Sequence, residues 1–267
     1  MKQGIKKRLS QWYATPLGKA ILKQEQSLVD QAIKNLFGYF LVQLESPCHL
    51  NLMANSRIQH KLLVASEFKH EVIDTDSHSH FLQADLDYLP IASECIDLVL
   101  LPHTLEVAED PYYLLREVDR ILVAEGHVVI TGFNPYGCLM MRQRWFKRQS
   151  HFKQVKLERL SRVQEWLEVL GYDIELKQYS TITCFAQRET RTPFMSALEW
   201  FEKQLSKLGL QFGNVYCLVA KKRVDAPTLV GSTWRMPRWQ NAGAKGVVSL
   251  VRNQRKETKE VIDVKSK

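Results

Sequence analysis

Five short polar stretches hold the side chains that could do chemistry: Glu45–Ser46, Ser66–Glu67, Asp85, His103 through Glu106, and Asn134. Each follows an apolar run: YFLVQL at 39–44, KLLVA at 61–65, FLQA at 81–84, CIDLVLL at 95–101 and HVVITGF at 127–133. Histidine titrates nearest neutrality, so His103, on a loop above a crevice, could act as a general base, although a structural or acceptor-pocket role is the favoured reading. Glu106 invites the same reading, or caps the helix that follows. There is no Ser/His/Asp or Cys/His pattern of a nucleophilic enzyme. Asp74, Asp76, His78 and His80 sit in a polar stretch without metalloenzyme spacing. Cys48, Cys95, Cys138, Cys184 and Cys217 form no CxxC pair, which removes zinc-ribbon and thioredoxin-like readings and fits reduced thiols in a cytoplasmic protein.

The elements that must position these residues alternate. Thr15–Pro16 is an N-cap with proline at the first helical position, and apolar spacing continues the helix to Leu36. Residues 1–11 read as a frayed basic end, and Trp12–Tyr13 as a lid on the crevice or a plug on the sheet. Asp110–Pro111 starts a second helix reaching about Val123, with Leu114, Leu115, Val118, Ile121 and Leu122 on one face. Gly126 then turns the chain into the strand at 127–133. A helix over 156–170, a strand over 172–179, a helix over 193–208 and a strand over 215–220 follow. This order predicts a doubly wound, Rossmann-like α/β fold, its sheet mostly parallel with an antiparallel C-terminal strand pair. In such sheets ligands bind outside the carboxyl ends of the strands, at the point where strand order reverses. All five polar stretches therefore gather around one crevice.

Charge is unevenly placed. Residues 31–141 carry 6 Lys or Arg against 15 Asp or Glu, residues 142–162 carry 8 against 1, and residues 225–267 carry 9 against 4. The fold is thus acidic and its appendages basic. The stretch 142–156 interleaves Trp145, Phe146 and Phe152 with basic residues; it could track a nucleic-acid backbone while an aromatic ring stacks on a base, or form a solvated face packed on the core. No apolar run is long enough for a membrane-spanning helix. The expected organisation is an N-terminal helical segment over 1–36, the α/β domain over 37–223, and a disordered basic tail over 224–267.

The stretch LPIASECIDLVLLPHTLEVAEDPYYLLREVDRILVAEGHVVITGFNP resembles the second half of a class I S-adenosylmethionine-dependent methyltransferase of the type 11 domain. Leu101–Glu106 and Gly132–Pro135 resemble an uncharacterised proteobacterial subgroup of that family. The resemblance implies S-adenosylmethionine as cofactor and a methyl acceptor as partner. It implies that Asp85 and the Leu86 amide face the adenine, that Pro102, His103, Thr104 and Leu105 flank the sulfonium and acceptor, and that Leu44, Glu45 and Ser46 stand at the methionine end. Glu67 is the candidate for the ribose. Methyl transfer is an in-line displacement that needs alignment and desolvation more than a nucleophile. One departure stands out. The family places Gly-x-Gly-x-Gly after the first strand, whereas here Glu45–Ser46–Pro47–Cys48–His49 follows it and no glycine occurs between Gly38 and Gly126. Glu45 could pair with the cofactor's ammonium or repel its carboxylate. The alternative expectation is a degenerate, non-catalytic binding or scaffold protein that contacts RNA through 142–162 and the tail. Asn134–Pro135–Tyr136 resembles the Asn-Pro-Pro-Tyr motif of amino-methyltransferases, but it follows the fifth strand instead of the fourth and reads as a turn.

Overall fold

Apolar runs become strands here because their alternate residues face two separate helical layers. The computed structural model describes residues 2–45, 51–66, 79–137, 139–141, 152, 155–180 and 213–224. Among these, seven strands form one sheet: β1 (Phe40–Leu44), β2 (His60–Ala65), β3 (Ser79–Gln83), β4 (Ile96–Pro102), β5 (Leu122–Phe133), β6 (Tyr172–Tyr179) and β7 (Val215–Lys222), ordered β3-β2-β1-β4-β5-β7-β6. Strands β1 to β5 pair in parallel, and β7 runs antiparallel to both β5 and β6. Strand order reverses between β1 and β4, which makes their carboxyl ends the switch point. The helices are α1 (Lys2–Tyr13), α2 (Pro16–Ile33), α3 (Thr104–Val107), α4 (Pro111–Ile121) and α5 (Leu160–Val169). The chain divides into two compact units, residues 1–224 and 225–267, and the second lies outside the described residues.

The two faces of the sheet are buried by different helices. Leu41, Leu63, Leu98, Leu100 and Val129 pack with Val29, Ala32 and Ile33 of α2. Their neighbours Val42, Val64, Val99, Leu101, Val128 and Ile130 pack with Leu114, Leu115, Val118 and Ile121 of α4 and with Val163 and Leu167 of α5. This one-residue alternation is the strand period of two, and it fixes register, since a slip of one residue would exchange the faces. Both expected caps are present. Thr15 accepts from the Gly18 N–H at 3.1 Å, and Asp110 accepts from the Tyr112 and Tyr113 amides at 3.0 and 3.1 Å.

Several boundaries differ from the sequence reading. Residues 2–13 are not frayed but form α1, with Ile5, Leu9, Trp12 and Tyr13 buried. Their spacing is helical; of the basic residues between them Lys7 is exposed, while Lys6 and Arg8 are partly buried. α2 stops at Ile33. Helix α4 ends at Ile121 because Leu122 already has extended backbone, and the strand begins there instead of after Gly126. Glu125, at φ 62°, makes the bend within β5 that a turn was expected to make. α5 starts at Leu160, four residues later than the periodicity suggests. The expected helix at 193–208, the 70–78 loop and most of the 142–156 stretch lie outside the described residues.

Candidate functional site

Helix α1 lies over the carboxyl ends of the strands. Its residues Ile5, Leu9, Trp12 and Tyr13 pack with Phe133 at the end of β5, Val215 at the start of β7, Val107 of α3, and Phe152. Trp12 meets Tyr13, Phe133 and Phe152 edge-on at ring separations of 4.8, 5.4 and 5.0 Å. Trp12–Tyr13 therefore plugs the sheet edge, and the helix it ends forms a roof above the crevice.

Beneath this roof sits a buried charged cluster. His103 is 1% exposed and adopts the left-handed conformation, with φ 53°. Its Nδ1–H donates to Glu106 Oε2 at 2.9 Å, and its Nε2–H donates to Tyr13 Oη at 2.8 Å, with Glu25 Oε2 at 3.2 Å. The Tyr13 hydroxyl donates onward to Glu25 Oε2 at 3.3 Å. Thr131 Oγ1 donates to Glu25 Oε1 at 2.6 Å, and the Phe133 amide donates to Glu106 Oε1. Burial alone would lower the His103 pKa, but the charges and hydrogen bonds of Glu25 and Glu106 override it and raise it to about 10. Burial likewise pushes Glu25 up, yet the His103 charge, with hydrogen bonds from His103, Thr131 and Tyr13, holds it below the ordinary carboxylate range. His103 is thus an imidazolium with both nitrogens protonated and engaged. It has no lone pair to accept a proton, so the general-base reading gives way to a positioning one: the ring ties α1, α2 and α3 to the sheet. Glu106 does not cap a helix; it is the second carboxylate on this ring.

The other expected residues divide by position. At the switch point, Thr104 Oγ1 donates to the Leu44 carbonyl at 2.6 Å, which locks the end of β1 to the loop after β4. Pro102 ends β4, and Leu44, Leu86 and Leu105 place their side chains in the core. Asp85 is exposed just beyond β3, and its Oδ1 accepts from the Asp87 amide at 3.3 Å. Glu45 is 3% exposed and left-handed at φ 50°. Its Oε1 accepts from Lys6 of α1 at 2.5 Å and from Ser66 Oγ at 3.3 Å, while Oε2 is buried without a hydrogen-bond partner among the described residues. Ser46, Glu67, Asp74, Asp76 and His78 lie outside the described residues, and His80 is exposed on β3. Asn134 is a turn residue: Oδ1 accepts from the Tyr136 amide at 3.1 Å, and Nδ2 donates to the Gly213 carbonyl at 2.9 Å.

Sequence reasoning passed over Lys6, Glu25 and Thr131. Glu25 carried a signal, since it interrupts the buried stripe Gly18, Ile21, Val29, Ala32 of α2 at the next helical position after Ile21. A carboxylate on an apolar face requires a buried cation or donors. Lys6 and Thr131 carried no local signal.

Residues 38–130 match the family model described as a methyltransferase domain. An S-adenosylmethionine-dependent methyltransferase from Thermotoga maritima superposes with a TM-score of 0.57 at 15% identity, over 84% of this chain and 100% of that one. Residues 38–130 are thus similar to a methyltransferase domain, and the chain has the fold of class I methyltransferases. A chain of the complex containing the Haloferax volcanii Trm112 methyltransferase activator has the same fold, with a TM-score of 0.54, 16% identity, and coverage of 76% of this chain and 90% of that one. In sequence, the Escherichia coli (strain K12) protein YafS is 29% identical over 166 residues, which are 61% of this chain and 65% of YafS. The matched region ends within β5, and α1 and α2 precede it. Among the described residues no helix is long and apolar enough to cross a membrane.

Proposed function

We propose that the protein is an S-adenosylmethionine-dependent methyltransferase whose cofactor lies across the carboxyl ends of β1, β2 and β3. The observation that carries this is Glu45 Oε2, a buried carboxylate oxygen with no hydrogen-bond partner among the described residues, at the switch point of the sheet. Leaving such a group unsatisfied costs on the order of 1–3 kcal/mol, and the α-ammonium of S-adenosylmethionine is a ligand group that satisfies it. Asp85 fits the other end. It is exposed beyond β3, where an adenine amino group would find an acceptor, with the Leu86 amide beside it. The residues present therefore fit the cofactor at both ends. In this reading Leu44, Glu45 and Ser46 hold the methionine moiety, Glu67 the ribose, and Pro102 to Leu105 flank the transferring methyl group.

When bound, the cofactor supplies an electrophilic methyl group on a sulfonium. The protein supplies alignment and exclusion of water. The Thr104–Leu44 bond fixes the spacing of the two loops across the switch point. The His103 cluster fixes α1 above them, so the acceptor meets a covered, water-poor edge. With both its nitrogens engaged, His103 would not serve as a general base, which suits an acceptor that reaches the site already nucleophilic or loses its proton to solvent. The glycine-free sequence after β1 favours one other reading, a non-catalytic binding or scaffold protein. Thermal shift with S-adenosylmethionine separates the two: a rise in melting temperature that Asp85→Ala abolishes supports the enzyme, and no rise at millimolar ligand supports the scaffold.

A further inference from the structure

We propose that Lys6 of α1, together with Glu45, forms a binding site for the amino-acid zwitterion of the cofactor. This deepens the cofactor reading and rests on it. Three elements converge at one point. Lys6 Nζ, on α1, lies 2.5 Å from Glu45 Oε1 past β1 and 2.5 Å from Ser66 Oγ past β2. Lys6 and Glu45 are largely buried, with side chains 15% and 3% exposed, so the pair is shielded from competing water. An ammonium has three protons, and the described contacts use two of them. Glu45 retains Oε2. The pair therefore offers one acceptor and one donor side by side, the mirror of an α-ammonium next to an α-carboxylate.

The sequence gives this arrangement a purpose. Glycines after β1 would let backbone amides approach a ligand carboxylate. Here Glu45 occupies the left-handed position itself, and Pro47 has no amide proton to offer. A lysine brought in from the N-terminal helix supplies the positive counterpart that those amides would have supplied. It also neutralises Glu45 enough to admit a carboxylate beside it. The unfavourable half of the Glu45 question, repulsion of the ligand's carboxylate, is thereby answered by Lys6.

The test is calorimetric titration of the full chain with two ligands that share the nucleoside thioether: S-adenosylhomocysteine, which has the amino-acid end, and 5′-methylthioadenosine, which lacks it. Wild type is expected to bind S-adenosylhomocysteine at least about tenfold more tightly, the scale of one charge-assisted hydrogen bond. Lys6→Met is expected to remove most of that difference while changing 5′-methylthioadenosine affinity less than about twofold. Lys6→Met leaves Glu45 buried beside no cation. The double variant Lys6→Met/Glu45→Gln removes both charges and should show the same loss of discrimination from a stably folded protein, checked by thermal melting. Lys6→Arg should retain discrimination. Equal weakening of both ligands by Lys6→Met, or no change in either, overturns the proposal while leaving the cofactor reading intact. Failure of wild type to bind either ligand overturns both.

Discussion

Raising the pH should destabilise this protein through a single buried ring. In an unfolded chain His103 titrates near 6.5; in the folded protein its pKa is raised to about 10. The folded state therefore binds the proton more tightly, so the stabilisation is complete below the unfolded pKa and is lost as pH climbs through the folded one. With about 1.4 kcal/mol per pKa unit, proton linkage for one such group gives a loss of about 3 kcal/mol between roughly pH 6 and pH 9. Glu25 acts at the other end. Its folded pKa is held below the ordinary range, so its contribution is present above about 4.5 and lost as pH falls through the folded value. His127 adds nothing on the alkaline side, because burial holds its pKa below 6.5. Urea denaturation at a series of pH values reads the effect directly. With a slope of about 2 kcal/mol per molar, the midpoint should fall by about 1.5 M over that interval. Glu25→Gln removes one of the two carboxylates on the ring. It should cost about 3–5 kcal/mol at pH 6 and flatten the alkaline decline. A wild-type midpoint that is constant from pH 6 to pH 9, or an imidazole resonance of His103 titrating near 6.5, would refute the cluster as described.

Further consequences follow from single contacts. Thr104→Val breaks the bond to the Leu44 carbonyl across the switch point and should lower stability by about 1–3 kcal/mol, with a larger fractional effect on cofactor affinity than a distant variant of equal stability loss. Asp110→Ala removes the acceptor of two α4 amides and should cost about 1 kcal/mol in thermal or urea unfolding without altering ligand binding. Gly132→Ala would set a methyl carbon against the Tyr216 ring and hydroxyl. Tyr216 is fully buried on the neighbouring strand, so this variant should lose about 1–3 kcal/mol, measured by the same unfolding curves.

Local features of the sequence were legible where one residue type forces one backbone. Asp110–Pro111 and Thr15–Pro16 announced two helix starts, and runs such as CIDLVLL announced buried strands whose parity the sheet then used on both faces. The Asp85, Glu45 and His103 positions were legible too, because a strand's carboxyl end follows from topology. What escaped was of two kinds. Helix α1 was hidden because Lys2, Lys6, Lys7 and Arg8 mask an apolar stripe of Ile5, Leu9 and Trp12. The roles of Lys6 and Glu25 were hidden because their partners stand 39 and 106 residues away along the chain. No local period encodes such pairings. The choice between the two roles of His103 was hidden for a related reason: Glu106 is a neighbour in sequence, but Glu25, which joins it in making the ring a fixed cation, is far along the chain. The missing glycines after β1 showed the opposite limit, since the chain still reaches the left-handed region there, using Glu45 itself.

The most direct test of the central claim is calorimetric titration of the purified chain with S-adenosylhomocysteine, wild type beside Asp85→Ala. Saturable one-to-one binding to wild type, weakened at least about tenfold in the variant, is the predicted result. Absence of binding to wild type at millimolar ligand, with the protein folded, would contradict it.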